Sequence, residues 1–243
     1  MKTHSEVVQV HHDSVHGRAD LHLYQACPEI CDKPLPAVLI FPTWAGQDLF
    51  VQHKANLMAQ CGYIGIAVDL YGNARQGESI EECSALMDPF MKNRTFLKER
   101  IQVVMDHVKK DPRIDSQNIV ATGYCFGGLC VLDAVRNNMG LKGGVSIHGL
   151  FYQPDYKLPE KYAAKVLALY GFLDPMMTPD QCRSFEHEFH GVCEDWQLIA
   201  FGQGKHAFTN PNAFDEARGL VYHALLDKRT TKYVNLFLQE LLG

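Results

Sequence analysis

Nowhere in its 243 residues does the chain approach the roughly 18 consecutive apolar residues that a membrane span needs. Its first residues, Met1 to Glu6, lead straight into Val7–Val10 without the apolar run of a secretory signal. From these two absences we expect a cytoplasmic protein with no membrane partner, in a compartment where thiols stay reduced. Positive charge is in deficit as well. Lys and Arg number 23 against 28 Asp and Glu, a formal charge of −5, which argues against a generic nucleic-acid binder. No internal repeat, low-complexity tract or Pro/Gly-rich linker divides the chain, so residues 1–243 are expected to form one domain.

Cys-x-x-Cys spacing is absent too. Eight cysteines are scattered along the chain, and the tightest pairs, Cys27/Cys31 and Cys125/Cys130, lack the spacing of zinc or redox sites. Most therefore read as small buried hydrophobes, and no metal site is expected. A glycine-rich phosphate loop is missing: Gly202-Gln203-Gly204 has no third glycine and follows a late strand.

What is present is an alternation. Ala37–Phe41 is a continuous apolar run ended by Pro42, as for a strand covered on both faces. Similar runs occur at Tyr63–Asp69, Asn118–Thr122, Gly143–Ile147, Lys165–Tyr170 and Trp196–Phe201. Helical segments fall at Val51–Cys61, Thr95–Lys110, Phe126–Asn138, Pro179–Phe189 and Arg229–Leu242. Such an order predicts an α/β fold with a mostly parallel central sheet and helices on both faces. Val7–Val10 and Ala19–Gln25, with no helix between them, read as a hairpin at an antiparallel N-terminal edge. A fold of this kind places ligands at the carboxyl ends of its strands.

Directly after one strand comes Gly123-Tyr124-Cys125-Phe126-Gly127-Gly128. Gly-x-nucleophile-x-Gly at a strand-to-helix turn lifts the central side chain above the sheet in a strained conformation. Side chains at the flanking glycines would meet neighbouring backbone, and the helix N-terminus behind Cys125 favours a thiolate. Gly144-Val145-Ser146 begins in the same way, but His148 stands where the second glycine belongs. In α/β-hydrolases the acid and then the histidine follow the nucleophile in chain order. Asp174 follows the strand ending near Tyr170, and His206 follows the strand ending at Phe201. Cys125, Asp174 and His206 thus form a candidate triad, with backbone N–H groups of Trp44 and Phe126 as the candidate oxyanion hole.

Taken together, Gly-Tyr-Cys-Phe-Gly-Gly at 123–128, Ala-Val-Asp-Leu-Tyr-Gly at 67–72, Gly-Phe-Leu-Asp-Pro at 171–175 and His-Ala-Phe at 206–208 resemble the dienelactone hydrolase family of α/β-hydrolases. The resemblance spans nearly the whole chain. It implies an α/β-hydrolase fold, a Cys-Asp-His triad, no cofactor, and hydrolysis of small esters or enol-lactones such as carboxymethylenebutenolide. It also brings in a side activity on organophosphate esters. Well-studied members carry a glutamate where alignment on Gly46 gives Thr43, and a substrate-gripping arginine where this chain has Asn210. Their second substrate arginine aligns loosely with Arg94. With Tyr71, these positions are the expected pocket. The departures point away from dienelactone itself and toward a neutral ester or lactone as the small-molecule partner, handled by a monomer or homodimer.

Ala74–Thr95, with Met87, Phe90 and Met91 among acidic residues, reads either as a lid or as an amphipathic surface helix. Two further functions compete with the hydrolase. One is a non-catalytic binder or redox sensor that uses Cys125 as an oxidisable thiol, and the other is acyl transfer to an acceptor other than water.

Overall fold

The computed structural model describes residues 2–29 and 32–243. Cys31, one half of the Cys27/Cys31 pair, lies outside the described residues. In chain order the elements are β1 (Thr3–Ser14), β2 (Gly17–Pro28), β3 (Leu35–Phe41), α1 (Leu49–Gln60), β4 (Ile64–Ala67), α2 (Ile80–Lys92), α3 (Arg94–Val108) and β5 (Ile114–Tyr124). There follow α4 (Phe126–Arg136), β6 (Gly143–Ile147), β7 (Lys165–Gly171), α5 (Pro179–Phe189), β8 (Trp196–Phe201), β9 (Phe214–Asp215), β10 (Leu220–Val221) and α6 (Ala224–Leu242).

Eight strands form one sheet in the order β1-β2-β4-β3-β5-β6-β7-β8. β1 pairs with β2, and β2 with β4, antiparallel; every other neighbour is parallel. This is the α/β-hydrolase architecture with its antiparallel N-terminal edge. The apolar runs are continuous because both faces are covered. Along β3, Ala37, Leu39 and Phe41 pack into one core while Val38 and Ile40 pack into the other. α1 and α6 cover the second face through Val51, Ala55, Phe237 and Leu241. α3, α4 and α5 cover the first through Leu97, Leu129 and Phe185.

Most cysteines serve this packing, since Cys27, Cys83, Cys130, Cys182 and Cys193 are buried and free. No helix among the described residues is long and apolar enough to cross a membrane. The Ala74–Thr95 segment folds mainly as α2, capped by Ser79, whose side chain accepts from the Glu82 N–H. Phe90 is buried and stacks on Phe96 at 4.8 Å between centroids. Met87 and Ile80 instead line a cavity above the carboxyl ends of the parallel strands.

Candidate active site

β5 runs to Tyr124 and α4 starts at Phe126, so the chain reverses at Cys125 within one residue. Its backbone pays a conformational cost there: φ is 54° and ψ −116°, a region that non-glycine residues occupy at of order 1–3 kcal/mol. Contact on every side leaves no alternative path. A Cβ at Gly123 would lie 2.1 Å from the Gly127 carbonyl oxygen, and one at Gly127 would lie 2.2 Å from the Phe41 oxygen. The glycines on both sides of Cys125 therefore let β5, α4 and β3 meet at van der Waals distance, and the Cys125 N–H donates to Ile147 O at 3.1 Å.

Asp174 and His206 reach the same end of the sheet from the loops after β7 and β8. The Asp174 carboxylate is buried and divided between two donors: Met176 N–H reaches Oδ1 at 2.8 Å, and His206 Nδ1 reaches Oδ2 at 2.7 Å. His206 Nε2 is buried and has no hydrogen-bond partner among the described residues. Burial by itself would hold the imidazole neutral. The neighbouring Cys125 sulfur and Asp174 carboxylate outweigh it and raise the His206 pKa from 6.5 to about 10. Cys130, one turn further along α4, shows the contrast, because full burial drives its thiol well above the ordinary range and leaves it inert.

Cys125 and His206 open into one cavity of about 590 Å³. Thr43, Trp44, Asn210, Ile80, Met87, Leu150 and Met176 form much of its wall. Thr43 and Asn210, two of the expected pocket positions, both line this cavity. Trp44 sits in the loop after β3, whose position is fixed from below: Tyr71 Oη donates to Trp44 O at 2.9 Å. Tyr71 is buried behind that loop and does not line the cavity. The buried Asp69 in turn accepts from the N–H groups of His22, Tyr71, Gly72 and Ala74, fixing the turn that carries Tyr71. Phe126, as the first residue of α4, has an N–H with no intrahelical carbonyl to bond.

Arg94 is absent from the cavity wall, contrary to its expected place in the pocket. Its guanidinium is buried and grips Asp133 of α4 through Nε at 2.8 Å and Nη2 at 2.6 Å. A carboxylate with no solvent exposure needs a cation, and a loose sequence alignment does not reveal that need.

Three features escaped sequence reasoning. The β9–β10 hairpin brings Phe214, Asp215 and Arg218 to the cavity, yet its strands are two residues long and show no periodicity. Its signal was chemical: Asp215, Glu216 and Gly219 make a turn, with Gly219 at φ +68°. His148, set aside as a residue that spoils a second elbow, is buried at φ +38°, with its ring edge-on to His206 at 5.3 Å between centroids. Leu150 and Met176 carry no motif at all. Among the described residues no group of three or more His, Cys, Asp and Glu side chains is placed to hold a metal ion.

A buried histidine held by a carboxylate and standing over a strained, partly exposed thiol can take and return a proton during nucleophilic attack. Comparison with known proteins gives the family. The model of the dienelactone hydrolase family matches residues 21–242. An uncharacterized protein of Caenorhabditis elegans is 30% identical over 148 residues, covering 59% of this chain and 93% of that protein. A Yersinia pestis protein named "Putative carboxymethylenebutenolidase" is 23% identical over 201 residues, 78% of this chain and 74% of that one. Among solved structures, a dienelactone hydrolase-like promiscuous phosphotriesterase from metagenomic libraries superposes with a TM-score of 0.93 at 24% identity, covering 100% of both chains.

Proposed function

The chain belongs to the dienelactone hydrolase family and is a hydrolase of the ester-cleaving kind, and from that premise we propose that it cleaves small neutral esters or lactones through a Cys125-His206-Asp174 triad. One observation carries the reading. Cys125, at φ +54° on the strand-to-helix turn, shares a cavity with His206, whose Nδ1 lies 2.7 Å from the Asp174 carboxylate.

In the proposed reaction the Cys125 thiolate attacks the carbonyl carbon, and the N–H groups of Trp44 and Phe126 receive the charge that builds on the carbonyl oxygen. His206, protonated at Nε2, gives its proton to the leaving alkoxide or enolate as the tetrahedral intermediate collapses to a thioester. It then takes a proton from water, whose oxygen attacks the thioester, and the proton returns as the thiol leaves. Asp174 holds the ring so that Nε2 faces the sulfur. Phosphotriesters form a second substrate class, favoured by the uncharged character of much of the wall and by the likeness to the promiscuous phosphotriesterase.

The test is turnover of p-nitrophenyl acetate, a small enol-lactone panel and paraoxon by wild type and His206→Ala. Turnover that His206→Ala lowers by orders of magnitude supports the reading. Equal background rates in both proteins sink it and leave the redox-active or binding protein as the better account.

The pH profile follows from the raised histidine. A group lifted from 6.5 to about 10 holds its proton through neutral pH and loses it as pH rises through about 10. The alkaline limb of kcat/KM is therefore expected near pH 10. Asp174→Asn removes one of the two groups that raise His206, so the limb moves to lower pH. An unmoved limb in Asp174→Asn means that another group sets it.

A further inference from the structure

Apart from His206, Arg218 is the one cationic side chain among the residues lining the cavity. It is not free. Its Nε lies 2.6 Å from Asp215 Oδ2, and its backbone N–H donates to Asp215 Oδ1 at 3.0 Å, so one carboxylate holds both the guanidinium and the turn beneath it. Asp215 lines the same cavity.

The hairpin that carries this pair is tied to the catalytic loop. Val221 N–H donates to His206 O at 3.0 Å, and His206 and Leu220 form a parallel bridge. Below, the turn at Gly219 sits against Pro175, next to Asp174. The other ion pair at this hairpin, Lys205 with Glu216, stands outside the cavity wall. The hairpin thus presents to the substrate a positive charge that is already neutralised, at a fixed place relative to the triad.

Resting on the hydrolase reading, we propose that the Arg218–Asp215 pair sets substrate charge: Arg218 is a latent carboxylate-binding residue, and Asp215 occupies it so that the site prefers uncharged esters over esters bearing a remote carboxylate. A substrate carboxylate reaching Arg218 has to displace Asp215 and meets its negative charge while doing so. Both side chains are well exposed, at 41% and 36%, so the pair is of the surface kind that water and salt weaken. Displacement is therefore a modest barrier. The expected discrimination is about fivefold, the upper range for an exposed pair.

The experiment compares p-nitrophenyl adipate, with a free terminal carboxylate, and p-nitrophenyl hexanoate, its neutral match in chain length. The readout is the ratio of kcat/KM for the two in wild type, Asp215→Asn, Arg218→Gln, the double variant and Glu216→Gln. Asp215→Asn is expected to raise the adipate-to-hexanoate ratio by about fivefold or more. In the Arg218→Gln background the same substitution is expected to change it by less than about twofold, and Glu216→Gln alone likewise. The proposal is overturned if Asp215→Asn leaves the ratio within about twofold of wild type. It is equally overturned if the rise persists without Arg218 or is matched by Glu216→Gln, for then removing negative charge anywhere nearby is enough. Failure of the hydrolase reading has a different signature: wild type cleaves neither ester above background.

Discussion

Cys125→Ala is expected to lower kcat for p-nitrophenyl acetate by about 10⁴-fold or more, His206→Ala by a similar factor, and the double variant by no more than either alone. In the proposed mechanism these side chains act as one unit, because the thioester cannot form without the sulfur and His206 has no other nucleophile to serve. Losses in such a unit do not add. Multiplicative losses would mean that His206 assists a reaction that bypasses Cys125. The same position offers a second reading through stability. Alanine keeps the φ of 54° and its strain, whereas glycine adopts that conformation freely. Cys125→Gly is therefore expected to be as inactive as Cys125→Ala but to melt several degrees higher, since about 1–3 kcal/mol of strain is relieved and each kcal/mol moves Tm by roughly 2–4 °C at this size. Equal melting temperatures would show that the elbow is unstrained, and the pre-set thiol geometry would lose its structural basis.

What could be read from the sequence was what depends on near neighbours. The elbow needs only six residues, and its glycines are forced by contacts that any strand-to-helix turn of this kind creates. α5 falls at Pro179–Phe189 as expected because its start is spelled locally: Thr178 and Gln181 form a capping box, and Pro179 occupies the first turn. β8 likewise matches its apolar run, Trp196–Phe201.

What depends on distant partners could not be read. Pro89 inside α2 argues against a helix interior, yet the packing of Phe90 on Phe96 and Tyr71 holds that turn in place. The hairpin of β9 and β10 exists through its hydrogen bonds to residues 206–213, and no local pattern of four strand residues announces it. The charged residues of the cavity wall could not be listed from the sequence for this reason. The sequence shows Asn210 where the family has an arginine, and only the fold shows Arg218 entering from another loop with Asp215 already on it.

Asp133→Ala is expected to destabilise the protein by about 3–5 kcal/mol, the cost of uncovering a buried charge, and to lower Tm by roughly 10 °C or more. Asp133 and Arg136 are fully buried on α4, and the network around them holds two cations and two anions. Arg94 of α3 takes both Asp133 oxygens, while Arg136 bonds Asp133 Oδ1 at 3.2 Å and Glu188 of α5 at 2.7 and 2.8 Å. Arg136 also donates to the carbonyls of Phe151 and Tyr152, in the loop that leads on from Leu150 of the cavity wall. Losing Asp133 leaves two buried guanidinium groups facing one carboxylate. The cost therefore arises from the uncompensated charge and not from the missing contact alone. That distinction is measurable, because Arg94→Met with Asp133→Leu removes one charge of each sign and leaves Arg136 paired with Glu188. The double variant is expected to be more stable than Asp133→Ala despite carrying two substitutions, when both are unfolded in urea and monitored by circular dichroism. If it is the less stable of the two, the packing of the Arg94 and Asp133 side chains outweighs their charge, and α3 is held to α4 by shape.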